Sequence, residues 1–102
     1  MQLDFPHKQI EAYCRRWKIT ELAVFGSVLR EDFRDDSDVD VMVTFAEDAH
    51  WSLFDLVTMQ DELEAILSRE VDLMTRKGVE QSHNPIRREA ILRSARPIYQ
   101  AA

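Results

Sequence analysis

The chain is short of the residues that staple, punctuate or anchor a protein. Its 102 residues include one cysteine, Cys14. No internal disulfide can form, and a reducing, cytoplasmic setting is expected. Three histidines, His7, His50 and His83, stand too far apart to resemble a zinc site and read as surface or structural residues. No apolar run approaches the ~20 residues that span a bilayer, and the mixed, charged N-terminus lacks the pattern of a secretory leader. No membrane association is therefore expected. Repeats and low-complexity linkers are also missing, and the length suits a single domain over residues 1–102. Positive charge is scarce, with 13 Lys and Arg against 19 Asp and Glu, a net −6. That balance argues against direct nucleic-acid binding, where phosphate contacts dominate affinity. The basic residues that exist are concentrated. Residues 76–96 hold Arg76, Lys77, Arg87, Arg88, Arg93 and Arg96 against Glu80 and Glu89, and Arg76 and Lys77 are the best placed to reach a site carried by the strand before them.

Glycine is rarer still, with two in the chain, and one of them opens the most informative stretch. Gly26-Ser27 follows the apolar residues 22–25, which read as a strand. After ten residues comes Asp38-Val39-Asp40, at the head of a second strand over residues 39–45. Strand residues two apart point to the same side. Asp38, Asp40, Met42 and Thr44 therefore share one face, and Val39, Val41, Val43 and Phe45 the other. Two carboxylates over an apolar floor are costly unless a cation sits between them. Magnesium is commonly held by one or two carboxylates plus substrate phosphates. Glycine lets backbone approach a phosphate, and the Ser27 hydroxyl can bind a phosphate oxygen. Together the two segments describe a nucleoside triphosphate site.

A third carboxylate joins them. Residues 70–75 form another strand candidate, with Val71 and Leu73 on one face and Asp72 on the other. If Val71 and Leu73 join the apolar side of the second strand, Asp72 comes to the side of Asp38 and Asp40. Three such carboxylates can bind two metal ions for an in-line displacement, with Asp72 the candidate base for an acceptor hydroxyl. The helices complete an alternating pattern. One over residues 6–17 is capped by Asp4 and buries Ile10, Tyr13, Cys14 and Trp17. A short one over residues 28–33 points its N-terminal amides at the Gly26-Ser27 turn, a natural anion site. The polar loop 34–37 leads on to the second strand. A long helix over residues 52–68 has Leu53, Leu56, Val57, Leu63, Ile66 and Leu67 as its apolar side, with Asp61, Glu62 and Glu64 as a wet, non-catalytic face. A last helix, over residues 84–95, is announced by Asn84-Pro85. Gly78 marks the end of the third-strand region, and Pro97-Ile98-Tyr99 suggests an edge strand. The fold class expected is α/β, a small mixed β-sheet layered with helices.

Gly26-Ser27, ten residues, Asp38-x-Asp40 and the later strand-borne Asp72 resemble the DNA polymerase β superfamily of nucleotidyltransferases. The string over residues 25–43 is similar to its smallest branch, the MNT-type minimal nucleotidyltransferases, and the likeness runs on to Ile98-Tyr99. The resemblance implies the nucleotidyltransferase palm fold. It also implies an antitoxin role beside a HEPN-domain ribonuclease toxin, with Mg²⁺-dependent transfer of AMP from ATP to a toxin tyrosine. On that pattern Gly26, Ser27 and Arg30 match nucleotide-binding positions. Asp38 and Asp40 match metal ligands, and Asp72 the third carboxylate. Glu31 departs from the glycine that many members carry there, and an acid at that place weakens triphosphate binding if it faces the site. Two other readings stand beside this one. The chain could neutralise a partner by contact alone, which needs no catalytic carboxylates. A transferase acting on tRNA or antibiotics fits less well, because there is no room for an acceptor-holding domain.

Overall fold

The computed structural model describes residues 5–26 and 38–101. Asp4, Ser27, Arg30, Glu31, the short helix over 28–33 and the loop 34–37 fall outside the described residues. The elements run α1 (His7–Arg16), β1 (Ile19–Phe25), β2 (Val39–Phe45), α2 (Leu53–Leu67), β3 (Val71–Thr75), α3 (Arg76–Glu80), α4 (Pro85–Ser94) and β4 (Arg96–Gln100). The strands form one sheet in the order β3-β2-β1-β4. β1 pairs antiparallel with both β2 and β4, whereas β2 and β3 are parallel. The mixed sheet expected from sequence is therefore present. α2 is the crossover that a parallel pair requires.

Alternation along the strands divides the sheet into two faces. Leu22, Val24, Val39, Val41, Val43 and Val71 build the main core with Ile10, Tyr13 and Cys14 of α1 and Met59, Leu63 and Leu67 of α2. Tyr13 donates its hydroxyl to the Met59 carbonyl at 3.0 Å, so the large polar tip that α1 carries inward is satisfied. The opposite face holds a smaller cluster, in which Phe25 and Met42 meet Val79 and Ile91. That second cluster seats α3 and α4 on the sheet face that also bears Asp40.

Several elements differ from the expectation, each for a local reason. α1 ends at Arg16, and Trp17 is its C-cap, half-buried rather than part of a buried stripe. The Trp17 ring meets Trp51 edge-on with centroids 5.1 Å apart, and Trp51 Nε1 donates to the Trp17 carbonyl at 2.9 Å. Trp51 is thus packed against the core. β1 begins at Ile19, because pairing with β2 carries the polar Thr20 and Glu21 that interrupt the apolar run. On α2, Leu53 and Val57 are exposed, at 77% and 57%, and Met59 is buried in their place. Val57 lies about 100° around the helix from Leu56, while Leu56, Met59, Leu63 and Ile66 keep the three-to-four spacing that faces the core.

The carboxylates of α2 are not a uniformly wet face either. Asp61 is exposed, but Glu62 pairs with Arg16 and accepts from Trp17 Nε1. Glu64 accepts from the Val71 amide at 2.8 Å, and Gln60 from the Leu73 amide at 3.4 Å. β3 is an edge strand, and these two side chains take up amides that an edge leaves open. Gly78 lies inside α3, a helix that the sequence reading did not contain. Thr75 caps α3 by accepting from the Gly78 amide at 3.0 Å. The Asn84 cap and Pro85 start of α4 stand as expected, with Asn84 Oδ1 accepting from the Arg87 amide at 3.1 Å.

Candidate active site

The three central strands bring Phe25, Asp40 and Asp72 abreast. Phe25 is opposite Asp40 across the antiparallel β1–β2 pair, and Asp40 is opposite Asp72 across the parallel β2–β3 pair. Directly paired residues project to the same side of a sheet, so Asp40 and Asp72 share the face opposite Val39, Val41 and Val71. Asp38 precedes β2 by one residue and repeats the alternation of Asp40. Asp40 is half-buried, while Asp38 and Asp72 are exposed.

Gly26 follows Phe25 at the end of β1 with φ +71°, a left-handed conformation that side chains other than glycine rarely adopt. A Cβ placed there would overlap an Asp40 carboxylate oxygen, with the carboxylate carbon 3.4 Å away. The absence of a side chain at Gly26 therefore leaves the space that the Asp40 carboxylate occupies. This contact was not read from the sequence, which assigned Gly26 to phosphate approach alone.

The donor set is carboxylate oxygen throughout, which suits a hard divalent cation such as magnesium. Among the described residues no three His, Cys, Asp or Glu side chains are gathered into a ready-made metal cluster. The register sets Asp40 beside Asp72, and Asp38 repeats the alternation of Asp40 on that face. Mutual repulsion of carboxylates opposes a closer gathering. The fit is to a cation that shares its coordination with substrate phosphates rather than one held in a protein cage.

Arg76 does not reach these carboxylates. It begins α3 at the far end of β3, about 13 Å along the strand from Asp72 at ~3.3 Å per residue. There it pairs with Glu21 at 3.7 Å and Glu80 at 3.4 Å. Nearer on the same face is a cavity of about 310 Å³, lined by Met74, Thr75, Gly78, Val79, Ser82, Arg87, Arg88 and Ile91. It was invisible in the sequence because α3, one of its walls, was not recognised. The signal available was Thr75 three residues before Gly78, a helix cap.

Residues 7–97 match the family described as Nucleotidyltransferase domain, and the chain belongs to that family. It is 36% identical over 76 residues to a Methanocaldococcus jannaschii protein provisionally named a protein adenylyltransferase, an alignment covering 74% of this chain and 73% of that one. Two solved complexes share the fold. One, a toxin–antitoxin with AMP-PNP, has a chain 17% identical with TM-score 0.72, covering 95% of this chain and 75% of its own. The other is the tri-AMPylated Shewanella oneidensis HEPN toxin in complex with MNT antitoxin, matched at 16% identity and TM-score 0.62 over 93% of this chain and 70% of that one. No helix among the described residues is long and apolar enough to cross a membrane.

Proposed function

We propose that this chain is a protein adenylyltransferase antitoxin acting in the cytoplasm. It transfers AMP from ATP to a tyrosine hydroxyl of a HEPN-domain toxin and thereby silences it. The observation that carries the reading is the register Asp40 opposite Asp72 beside a left-handed Gly26. The similarity to a provisionally named adenylyltransferase and the shared fold with a complex of tri-AMPylated HEPN toxin and MNT antitoxin support it.

Asp38 and Asp40 would hold Mg²⁺ against the triphosphate, and the ion, when bound, neutralises charge developing on the phosphoryl oxygens. Gly26, Ser27 and Arg30 bind the phosphates. Asp72 accepts the proton of the acceptor hydroxyl. The hydroxyl oxygen attacks the α-phosphorus, the α–β phosphoanhydride bond breaks, and pyrophosphate leaves with the electron pair.

The test is the intact mass of the toxin partner after incubation with this chain, ATP and Mg²⁺. Whole AMP units are expected, and Asp38→Asn/Asp40→Asn should abolish them. A second reading, neutralisation by contact alone, is favoured by one observation: Leu53, Phe54 and Val57 present an exposed apolar patch on α2. It gains ground if the double variant transfers nothing yet still protects cells from the toxin.

A further inference from the structure

We propose that the cavity between β3, α3 and α4 seats the purine base of the substrate nucleotide. The inference rests on the nucleotidyl-transfer reading and adds a base site to it. Met74 is two residues beyond Asp72 on β3, about 6.6 Å along the same face. A ribose spans such a step, so a nucleotide whose α-phosphate lies at Asp40 and Asp72 can place its base over Met74.

The cavity suits a flat, two-sided group. Its wall is apolar, with Met74, Val79 and Ile91 belonging to the small cluster on this face. Its size, about 310 Å³, lies at the lower end of the range for small-molecule pockets. Its polar margin is rich in donors. Arg87 and Arg88 supply guanidinium N–H groups, which only donate, and Ser82 and Thr75 supply hydroxyls. Arg88 is steadied by donating from Nη1 to the Ser82 carbonyl at 3.2 Å. Among the described residues no carboxylate lines the cavity. A purine has apolar faces for the Met74–Ile91 wall and ring nitrogens that accept from such a margin. A smaller pyrimidine covers less of the wall.

The experiment compares ATP, CTP and inorganic tripolyphosphate as ligands for the full chain. Binding is measured by calorimetry, with the methyl signals of Met74 and Ile91 followed by NMR. ATP should move both methyls, and tripolyphosphate should leave them in place. Ser82→Trp, which fills the cavity, should weaken ATP by at least about tenfold, ~1.4 kcal/mol, without changing tripolyphosphate affinity. Arg87→Ala, at an exposed side chain, should narrow the preference for ATP over CTP without threatening the fold. Equal weakening of ATP and tripolyphosphate, or methyls unmoved by ATP, overturns the base site. Methyls that move with the toxin partner but not with ATP overturn it in favour of the acceptor. Failure of the unaltered chain to bind either phosphate ligand overturns the nucleotidyl-transfer reading, and the base site with it.

Discussion

At the scale of single residues, Gly26 carries two demands at once. Its φ of +71° disfavours any side chain, and the space beside it is filled by the Asp40 carboxylate. Gly26→Ala should therefore destabilise the chain by at least about 1 kcal/mol. It should also depress AMP transfer further than that loss explains, because Asp40 must move. Thermal unfolding and initial rates on the same preparation separate the two effects. The glycine was readable as a special position because the chain has so few. Its Asp40 contact was not, since it depends on β1 and β2 lying side by side in one register. The exposed apolar residues Leu53 and Val57 teach the converse. They look like core in a list of apolar positions, and only the rotation of α2 against the sheet shows that Met59 takes their place.

At the scale of elements, β3 is the most dependent piece. It is short, lies at the edge of the sheet, and carries Asp72. Its outward amides at Val71 and Leu73 are taken up by Glu64 and Gln60. Glu64→Ala removes the acceptor for a part-buried amide, which costs about 1–3 kcal/mol. Because Val71 adjoins Asp72, AMP transfer should fall as well. Glu64→Gln keeps an oxygen acceptor and should recover most of both, as read by denaturant midpoint and transfer rate. The strands themselves were legible from alternation, and β2 agrees with its sequence reading at both ends. α3 was hidden because five residues leave no periodicity to read. The roles of Glu62 and Glu64 were hidden because a carboxylate on a helix gives no sign of which distant donor it will meet.

At the scale of the whole molecule, α1 makes the fold sensitive to alkaline pH. Burial pushes the Cys14 thiol up to about 12. Tyr13 is raised further, by burial first and the neighbouring Cys14 second, against a lowering by Arg16. Both groups are held neutral in the native state, and their folded values lie above their unfolded ones. Their contribution to stability is complete below the unfolded values. It is lost as pH rises above about 9 toward the folded values, since the unfolded chain releases protons first. Unfolding midpoints measured from pH 7 to 11 should fall over that window, and Cys14→Ala should flatten the earlier part of the fall. The overall plan, a mixed sheet between two uneven layers of helix, follows from the alternation of strand and helix signals. What sequence could not show is how unevenly the layers are built, with the larger core behind the carboxylates and a small one beside them.

The parallel pairing of β2 and β3 has one more consequence. Asp40 and Asp72 meet only after the chain has passed through the whole of α2 and returned, and each stands on a different side of that crossover. No fragment that ends before β3 can hold both. A chain emerging from the ribosome therefore cannot pair the two carboxylates until β3 has been made. A single cut in α2 would leave the two carboxylates on separate polypeptide segments, joined only by the β2–β3 pairing.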